Sequence, residues 1–240
     1  RLSAVNSINV VRVLAQCGHY IHAFTQLPPD NRDDVNFVVP TGNFGNIFAG
    51  WMVHQMGLPV DRFVVATNQN DILHRLFTTG EYKPGEVHPS HAPSMDIQIA
   101  SNFERFLYYH NDEDAKATLA QMETFRKDGS IRIANFDASN FTATRSTDAD
   151  ILKNIRKVKE RYNYIVDPHT ACGFQDLDPA ATHIVLATAH PAKFPAIIEK
   201  AIGETPTDPS LESLKGKKQV RHPVEASAAA VRKFLEENAI

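Results

Sequence analysis

The stretch from Val35 to Thr67 constrains the fold of this chain most. Val35 to Val39 is a short run dense in β-branched and aromatic residues, closed by Pro40, and reads as a buried strand. A glycine-rich turn follows at Thr41 to Asn46. Ile47 to Met56 then has helical composition and stops at Gly57, the residue type favoured just past a helix end. Arg62 to Thr67 is a second strand-like run. Strand, helix and strand within about 35 residues make a crossover unit, which implies a parallel sheet with helices on its faces.

The flanking sequence extends this pattern. Residues 5 to 24 place Val10, Val13, Leu14, Cys17, Tyr20, Ile21 and Phe24 at three-and-four spacing, predicting an amphipathic helix with one buried face. Gly80 to Pro93 is irregular and rich in Gly, Pro and His; Ile97 to Tyr109 and Asp112 to Arg126 read as helices, and Ile131 to Phe136 as a strand. Asp148 to Tyr162 carries Ile151, Ile155, Val158 and Tyr162 on one helical face. Thr182 to Thr188 is the most strand-like run of the chain, followed by a helix from Pro195 to Ala201, a loop over 204–222 and a terminal helix from Glu225 to Asn238.

Composition narrows the classes of function. The formal net charge of −3 argues against a nucleic-acid or anionic-membrane binder, which needs a basic face. The one basic run, Lys215 to Arg221, reads as a solvated loop. The apolar runs are far short of the ~18 residues of a membrane helix. The two cysteines, Cys17 and Cys172, form no CxxC pair and read as apolar fillers in a reducing compartment. The 11 histidines show no metal-ligand spacing.

Four segments carry chemistry. In Pro40-Thr41-Gly42-Asn43-Phe44-Gly45-Asn46, glycines between a strand and a helix allow several N–H groups to face one point at a helix N-terminus, a geometry suited to a phosphate. The turn has neither the Gly-Lys-Ser/Thr of a Walker loop nor GxGxxG, so both nucleotide readings fail; the alternative is a turn that only connects strand to helix. Thr188 closes the last confident strand, where ligands gather in open α/β sheets, although a Thr there is also a common cap. In Asp167 to Gly173, His169 either caps a helix or faces a ligand. In Asn6 to Arg12, Ser7 and Asn9 can accept from early helix N–H groups, and Arg12 lies one turn on, which reads as an N-cap with a solvent-facing arginine.

Taken together, the segments VNSIN-x-x-R-x-LAQ at 5–16, VPTGNFGN at 39–46, ATN-x-NDIL at 66–73, PSMDI and SNFER within 93–105, DPHTA-x-G at 167–173 and ATAHPAKF at 187–194 resemble the threonine synthases, in the longer form found in fungi and many bacteria. The resemblance implies a three-layer α/β domain of the tryptophan-synthase-β kind. It also implies pyridoxal 5'-phosphate as cofactor and conversion of O-phospho-L-homoserine and water to L-threonine and phosphate. On that reading residues 1–34 form a helix from the domain junction, 35–203 the cofactor-binding domain with an irregular insertion at about 80–147, and 204–240 a loop and terminal helix.

Carried over residue by residue, Gly42, Asn43, Phe44, Gly45 and Asn46 match the loop that holds the cofactor phosphate. Thr188 matches the residue whose hydroxyl meets the pyridine nitrogen, a partner expected not to stabilise a protonated ring. Asn6, Ser7, Asn9, Arg12, His169 and Thr170 are the expected substrate contacts. The family anchors its cofactor through a lysine in a Phe-Lys-Asp segment upstream of the VNSIN helix, at which this chain begins. No catalytic residue of that kind is therefore expected here. Phe125-Arg126-Lys127-Asp128 has an extra residue at a polar helix end, and Lys193 does not match the anchor. The chain is accordingly expected to be the C-terminal portion of a cytoplasmic enzyme that acts on a small molecule, with no nucleic-acid or membrane partner, and to be inactive alone. A related phospho-lyase giving 2-oxobutyrate and a non-catalytic phosphate-binding chain are the alternatives.

Overall fold

The computed structural model describes residues 6–133, 136 and 138–238. Four parallel strands form the central sheet in the order β5-β2-β1-β6, with β1 at Val35–Pro40, β2 at Arg62–Thr67, β5 at Phe141–Arg145 and β6 at Thr182–Val185. A two-stranded antiparallel pair, β3 (Glu81–Tyr82) and β4 (Ile131–Arg132), stands apart from it. The helices are α1 (Val10–Thr25), α2 (Gly45–Gln55), α3 (Ile72–Thr79), α4 (Phe103–His110), α5 (Ala115–Asp128), α6 (Asp148–Tyr162), α7 (Pro168–Cys172), α8 (Pro195–Ile202), α9 (Pro209–Glu212) and α10 (Ala228–Asn238).

Alternation along the strands divides the interior in two. Phe37 and Val39 of β1 and Phe63 and Val65 of β2 enter one core with Tyr20, Phe48, Leu76, Leu107 and Phe125 from α1 to α5. Val38, Val64 and Ala66 point the other way and pack against Ile151, Ile155 and Val158 of α6 and Ile198 of α8. Helices thus cover both faces, the three-layer arrangement expected of a parallel sheet.

Several boundaries differ from the sequence reading. Helix α1 starts at Val10, because Asn9 caps it by accepting from the Val11 N–H at 3.0 Å; residue 5 lies outside the described residues. Its buried face is Val13, Cys17, Tyr20 and Phe24, while Val10, Leu14 and Ile21 are exposed. Ile97 to Asn102 is not helical: the Ala100 N–H is held by the Tyr82 hydroxyl at 2.8 Å, and α4 begins at Phe103. Of the strand expected over Ile131 to Phe136, Ile131–Arg132 is formed and Ile133 and Phe136 are not in a strand, while residues 134 and 135 lie outside the described residues. The stretch read as irregular, about 80–147, includes β5, which pairs in register with β2 from Phe63↔Phe141 to Thr67↔Arg145. Strand β6 ends at Val185, three residues before Thr188.

Connections leaving the central strand β1 run first to β2 on one side, and the chain returns later to β6 on the other. The carboxyl ends of β1 and β6 therefore flank the point where strand order reverses, where open α/β sheets form their ligand crevice. The two loops that open there are 41–44, which runs into the start of α2, and 186–190.

Candidate functional site

A cavity of about 750 Å³ occupies that crevice, a volume suited to a small ligand. Its wall combines the whole turn from Pro40 to Asn46 with Ser94 and Met95, His169, Ala187 to Ala189, Lys193 and Phe194, and the α1 side with Ser7, Arg12, Gln16 and His19. Arg12 and Lys193 are charged, and among the described residues no carboxylate is in the wall.

The turn is shaped as a donor site. Phe44 stands at the N-cap of α2 and its side chain makes no capping bond, so the first-turn N–H groups, which have no intrahelical acceptor, stay open towards the cavity. Phe44 has a φ of 64°, an unfavourable region for a bulky residue that persists where surroundings enforce it. The enforcement is visible: its ring is 1% exposed, stacked on Phe77 and edge-on to Phe103 and Phe106 at centroid distances of 6.0, 5.8 and 5.5 Å. Gly42 and Gly45 permit close approach from outside. A Cβ would lie 3.3 Å from Ser94 O at Gly42 and 3.2 Å from Asn102 Nδ2 at Gly45. From below, the Tyr20 hydroxyl donates to Asn46 O at 2.8 Å. The buried Oδ1 of Asn46 has no hydrogen-bond partner among the described residues.

The SNFER segment clamps this turn to the start of α1. Asn102 is fully buried and donates through Nδ2 to Ser7 O at 2.8 Å and Asn43 O at 3.0 Å. Arg105 donates to Ile8 O at 2.8 Å and also bonds Asn102 Oδ1. The carboxylate of Asp96 accepts from Asn68 and Asn70 Nδ2 at 2.7 and 2.9 Å and from the Ser90 N–H and hydroxyl at 2.9 and 2.6 Å. It thereby holds the loop that sets Ser94 and Met95 against Gly42.

Opposite the turn lies a buried network around Asp167, whose side chain is 0% exposed. Its Oδ1 accepts from the His169 N–H at 2.9 Å and from His169 Nδ1 at 2.9 Å. Its Oδ2 accepts from the Thr170 hydroxyl and from the Ala189 N–H at 3.2 Å. Burial alone raises the Asp167 carboxyl, but the bonds from His169 and Thr170 outweigh it and hold the group below the usual carboxylate range. The Ser94 N–H donates to His169 Nε2 at 3.0 Å, so Nε2 is the acceptor and the imidazole proton sits on Nδ1 towards Asp167.

The structure thus brings Gly42 to Asn46, Thr188, His169, Ser7 and Arg12 to one cavity, and it does not bring Asn6, Asn9 or Thr170 to its wall. Asn6 Oδ1 accepts from the Ile8 N–H at 3.2 Å, and Asn9 caps α1. Thr170 lies one layer behind Thr188. His169 reaches the wall, but both ring nitrogens are engaged by the protein. Cys172 is buried away from the cavity, and burial pushes its thiol up to about 12. Asp96, Asn102, Arg105 and Asp167 were not singled out from sequence, although each lies inside a segment that carries the resemblance.

A model of the threonine synthase carboxyl-terminal region matches residues 169–235. The chain is 40% identical to threonine synthase from Pseudomonas aeruginosa over 220 residues, covering 88% of this chain and 47% of that protein. It is 42% identical to the enzyme from Corynebacterium glutamicum over 224 residues, covering 87% and 47%. The chain matches the carboxyl-terminal half of the threonine synthases. Among solved structures, the threonine synthase of Brucella melitensis, described as bound to pyridoxal phosphate, superposes with a TM-score of 0.87 at 38% identity, over 98% of this chain and 53% of that one. The yeast threonine synthase gives 0.86 at 32% identity with the same coverage. The chain spans about half the length of the threonine synthases it matches, and the described helices include none long and apolar enough to cross a membrane.

Proposed function

We propose that the cavity binds pyridoxal 5'-phosphate and that this chain is the carboxyl-terminal part of a cytoplasmic enzyme converting O-phospho-L-homoserine and water to L-threonine and phosphate. The observation that carries this reading is the open start of α2: uncapped N–H donors in a wall that has, among the described residues, two cations and no carboxylate, which fits a phosphate dianion. The Brucella melitensis relative, whose description names the same cofactor, supports it. The cofactor, when bound, supplies an electron sink for the substrate's Cα.

On this reading Gly42, Asn43, Phe44, Gly45 and Asn46 hold the cofactor phosphate through main-chain donors, and Thr188 faces the pyridine nitrogen. Ser7 and Arg12, on the α1 side of the same wall, are placed for the substrate's phosphate or carboxylate, since a guanidinium pairs well with either anion. Asn102 and Arg105 position Ser7 against Asn43. The anchoring lysine is read as lying outside these 240 residues. Lys127 is exposed on the last turn of α5, and Lys193 lies in the cavity wall on the loop after β6.

The test is product analysis of the full-length protein supplied with pyridoxal phosphate and O-phospho-L-homoserine. Threonine and phosphate in equal amounts are expected. Phosphate with 2-oxobutyrate and no threonine overturns the assignment in favour of elimination alone.

A further inference from the structure

Although the resemblance offers His169 as a substrate contact, its side chain is 4% exposed and both ring nitrogens are engaged by the protein. Those two bonds reach opposite walls of the cavity. On one side the Ser94 N–H donates to Nε2 at 3.0 Å. Ser94 belongs to the short helical turn Pro93–Met95, which backs the glycine turn so closely that a Cβ at Gly42 would meet Ser94 O at 3.3 Å and Met95 Cα at 3.4 Å. On the other side Nδ1 donates to Asp167 Oδ1 at 2.9 Å, and the second oxygen of that carboxylate accepts the Ala189 N–H at 3.2 Å from the loop after β6. One imidazole thus closes a chain from the Gly42 turn through Ser94 and Asp167 to Ala189. Each end of the chain has its own support. Asp96 holds the loop that carries Ser94 through Asn68, Asn70 and Ser90, and Asp167 caps α7, whose five residues are all buried. Among the described residues, the Ser94–His169 bond is the one hydrogen bond from 93–95 to the segment opposite. The Phe194 ring packs on the imidazole with centroids 4.8 Å apart, which restricts its rotation.

We propose that His169 is a positioning residue that sets the span of the cavity: by joining Ser94 to Asp167 it fixes the distance between the turn at Gly42–Asn46 and the loop at 186–190. This rests on the reading of the cavity as a pyridoxal phosphate site, in which the ligand's phosphate meets the turn and its ring meets the loop. A ligand held at both ends gains from the second contact only when the spacing of the two contacts matches its own length. A ligand held at one end is indifferent to that spacing. His169 therefore selects for the whole ligand over either of its halves, and it does so through Ser94 and Ala189 rather than by touching the ligand.

The experiment uses the full-length protein freed of cofactor and measures affinities by calorimetry for pyridoxine 5'-phosphate, which presents both ends and carries no aldehyde, and for its two halves, pyridoxine and inorganic phosphate. In His169→Leu, and in His169→Asn, whose amide is too short to reach Ser94, pyridoxine 5'-phosphate is expected to weaken at least about tenfold while each half changes less than about threefold. His169→Gln, whose carbonyl reaches the place of Nε2 and still accepts from Ser94, is expected to keep the affinities of the parent protein. Equal losses for the whole ligand and its halves, no loss in the leucine and asparagine variants, or a glutamine variant as weak as leucine overturns the proposal. The parent protein supplies a test that needs no variant to fold: the nitrogen-15 spectrum of His169 should place the ring proton on Nδ1, and a proton on Nε2 overturns the bridge. A parent protein that binds pyridoxine 5'-phosphate no more tightly than pyridoxine overturns the cofactor-site reading, and the proposal with it.

Discussion

Replacing Gly50 by alanine tests the packing that supports the turn from beneath. Gly50 lies in the middle of α2, where α1 crosses it. A Cβ there would sit 2.4 and 2.6 Å from Tyr20 Cε1 and Cζ and 2.8 Å from Phe63 Cε1. Comfortable carbon contacts are about 3.5 to 4.0 Å, so the deficit is about 1 Å against two rings. Neither ring has room to yield. Tyr20 and Phe63 are both 0% exposed, Tyr20 packs on Phe37 with centroids 4.8 Å apart, and its hydroxyl is tied to Asn46 O. Alanine gains about 1 kcal/mol over glycine in a helix interior. Overpacking opposes this with about 1 to 3 kcal/mol, and a displaced Tyr20 forfeits its bond to Asn46, about 1 kcal/mol more. The net expectation is a loss of about 1 to 3 kcal/mol, read as a lower urea midpoint at unchanged slope. In a Tyr20→Leu background, which removes the offending ring edge, the same substitution should cost at least about 1 kcal/mol less. A Gly50→Ala protein as stable as the parent, or an unchanged cost in the Tyr20→Leu background, would refute the packing argument.

Other perturbations separate different parts of the account. Phe44→Ala empties the space among Phe77, Phe103 and Phe106 and should cost about 3 to 5 kcal/mol; a loss under about 1 kcal/mol by urea titration would show that these rings do not enforce the turn. Both cysteines are buried, and burial raises Cys17 as well as Cys172, so a disulfide reagent at pH 8 should label neither until urea unfolds the protein, with rapid native labelling as the contrary result. The Thr147 side chain and then its N–H hold the Asp150 carboxyl low in the capping box that starts α6. A depressed folded value means the contribution is present above the unfolded carboxylate value near ~3.9 and is lost as pH falls through the lower folded one. Thr147→Ala should therefore destabilise by about 0.5 to 2 kcal/mol at neutral pH, and the part due to Asp150 should vanish in acid; a difference independent of pH would remove the carboxylate from the cap.

The crossover unit was legible in the sequence because its strands are uninterrupted runs of β-branched and aromatic residues between glycine and proline punctuation. Strand β5 was not. Phe-Thr-Ala-Thr-Arg at 141–145 is a half-exposed strand with a weak pattern, and what holds it is pairing with β2 rather than its own composition. Helical spacing also carried the reading of α4 six residues too far back, since Ile97 to Asn102 is fixed by side-chain bonds from Tyr82 and Asn102 that no local pattern reveals. At the site, the glycine turn and Thr188 could be placed together from strand ends alone. The roles of Asp96, Asn102 and Asp167 could not, because a buried polar side chain is defined by partners up to 95 residues away, as Asn102 is by Ser7. For the same reason Asn9 and Thr170, read as substrate contacts, turn out to be engaged by the protein itself.

Whether the turn from Gly42 to Asn46 receives a phosphate group is decided by comparing the affinities of the full-length protein for pyridoxal phosphate and for pyridoxal, before and after Gly42→Val. The turn reading predicts that the substitution weakens pyridoxal phosphate at least tenfold, about 1.4 kcal/mol, while pyridoxal, which has no phosphate, changes far less. Equal losses for the two ligands, or no loss for either, would contradict it.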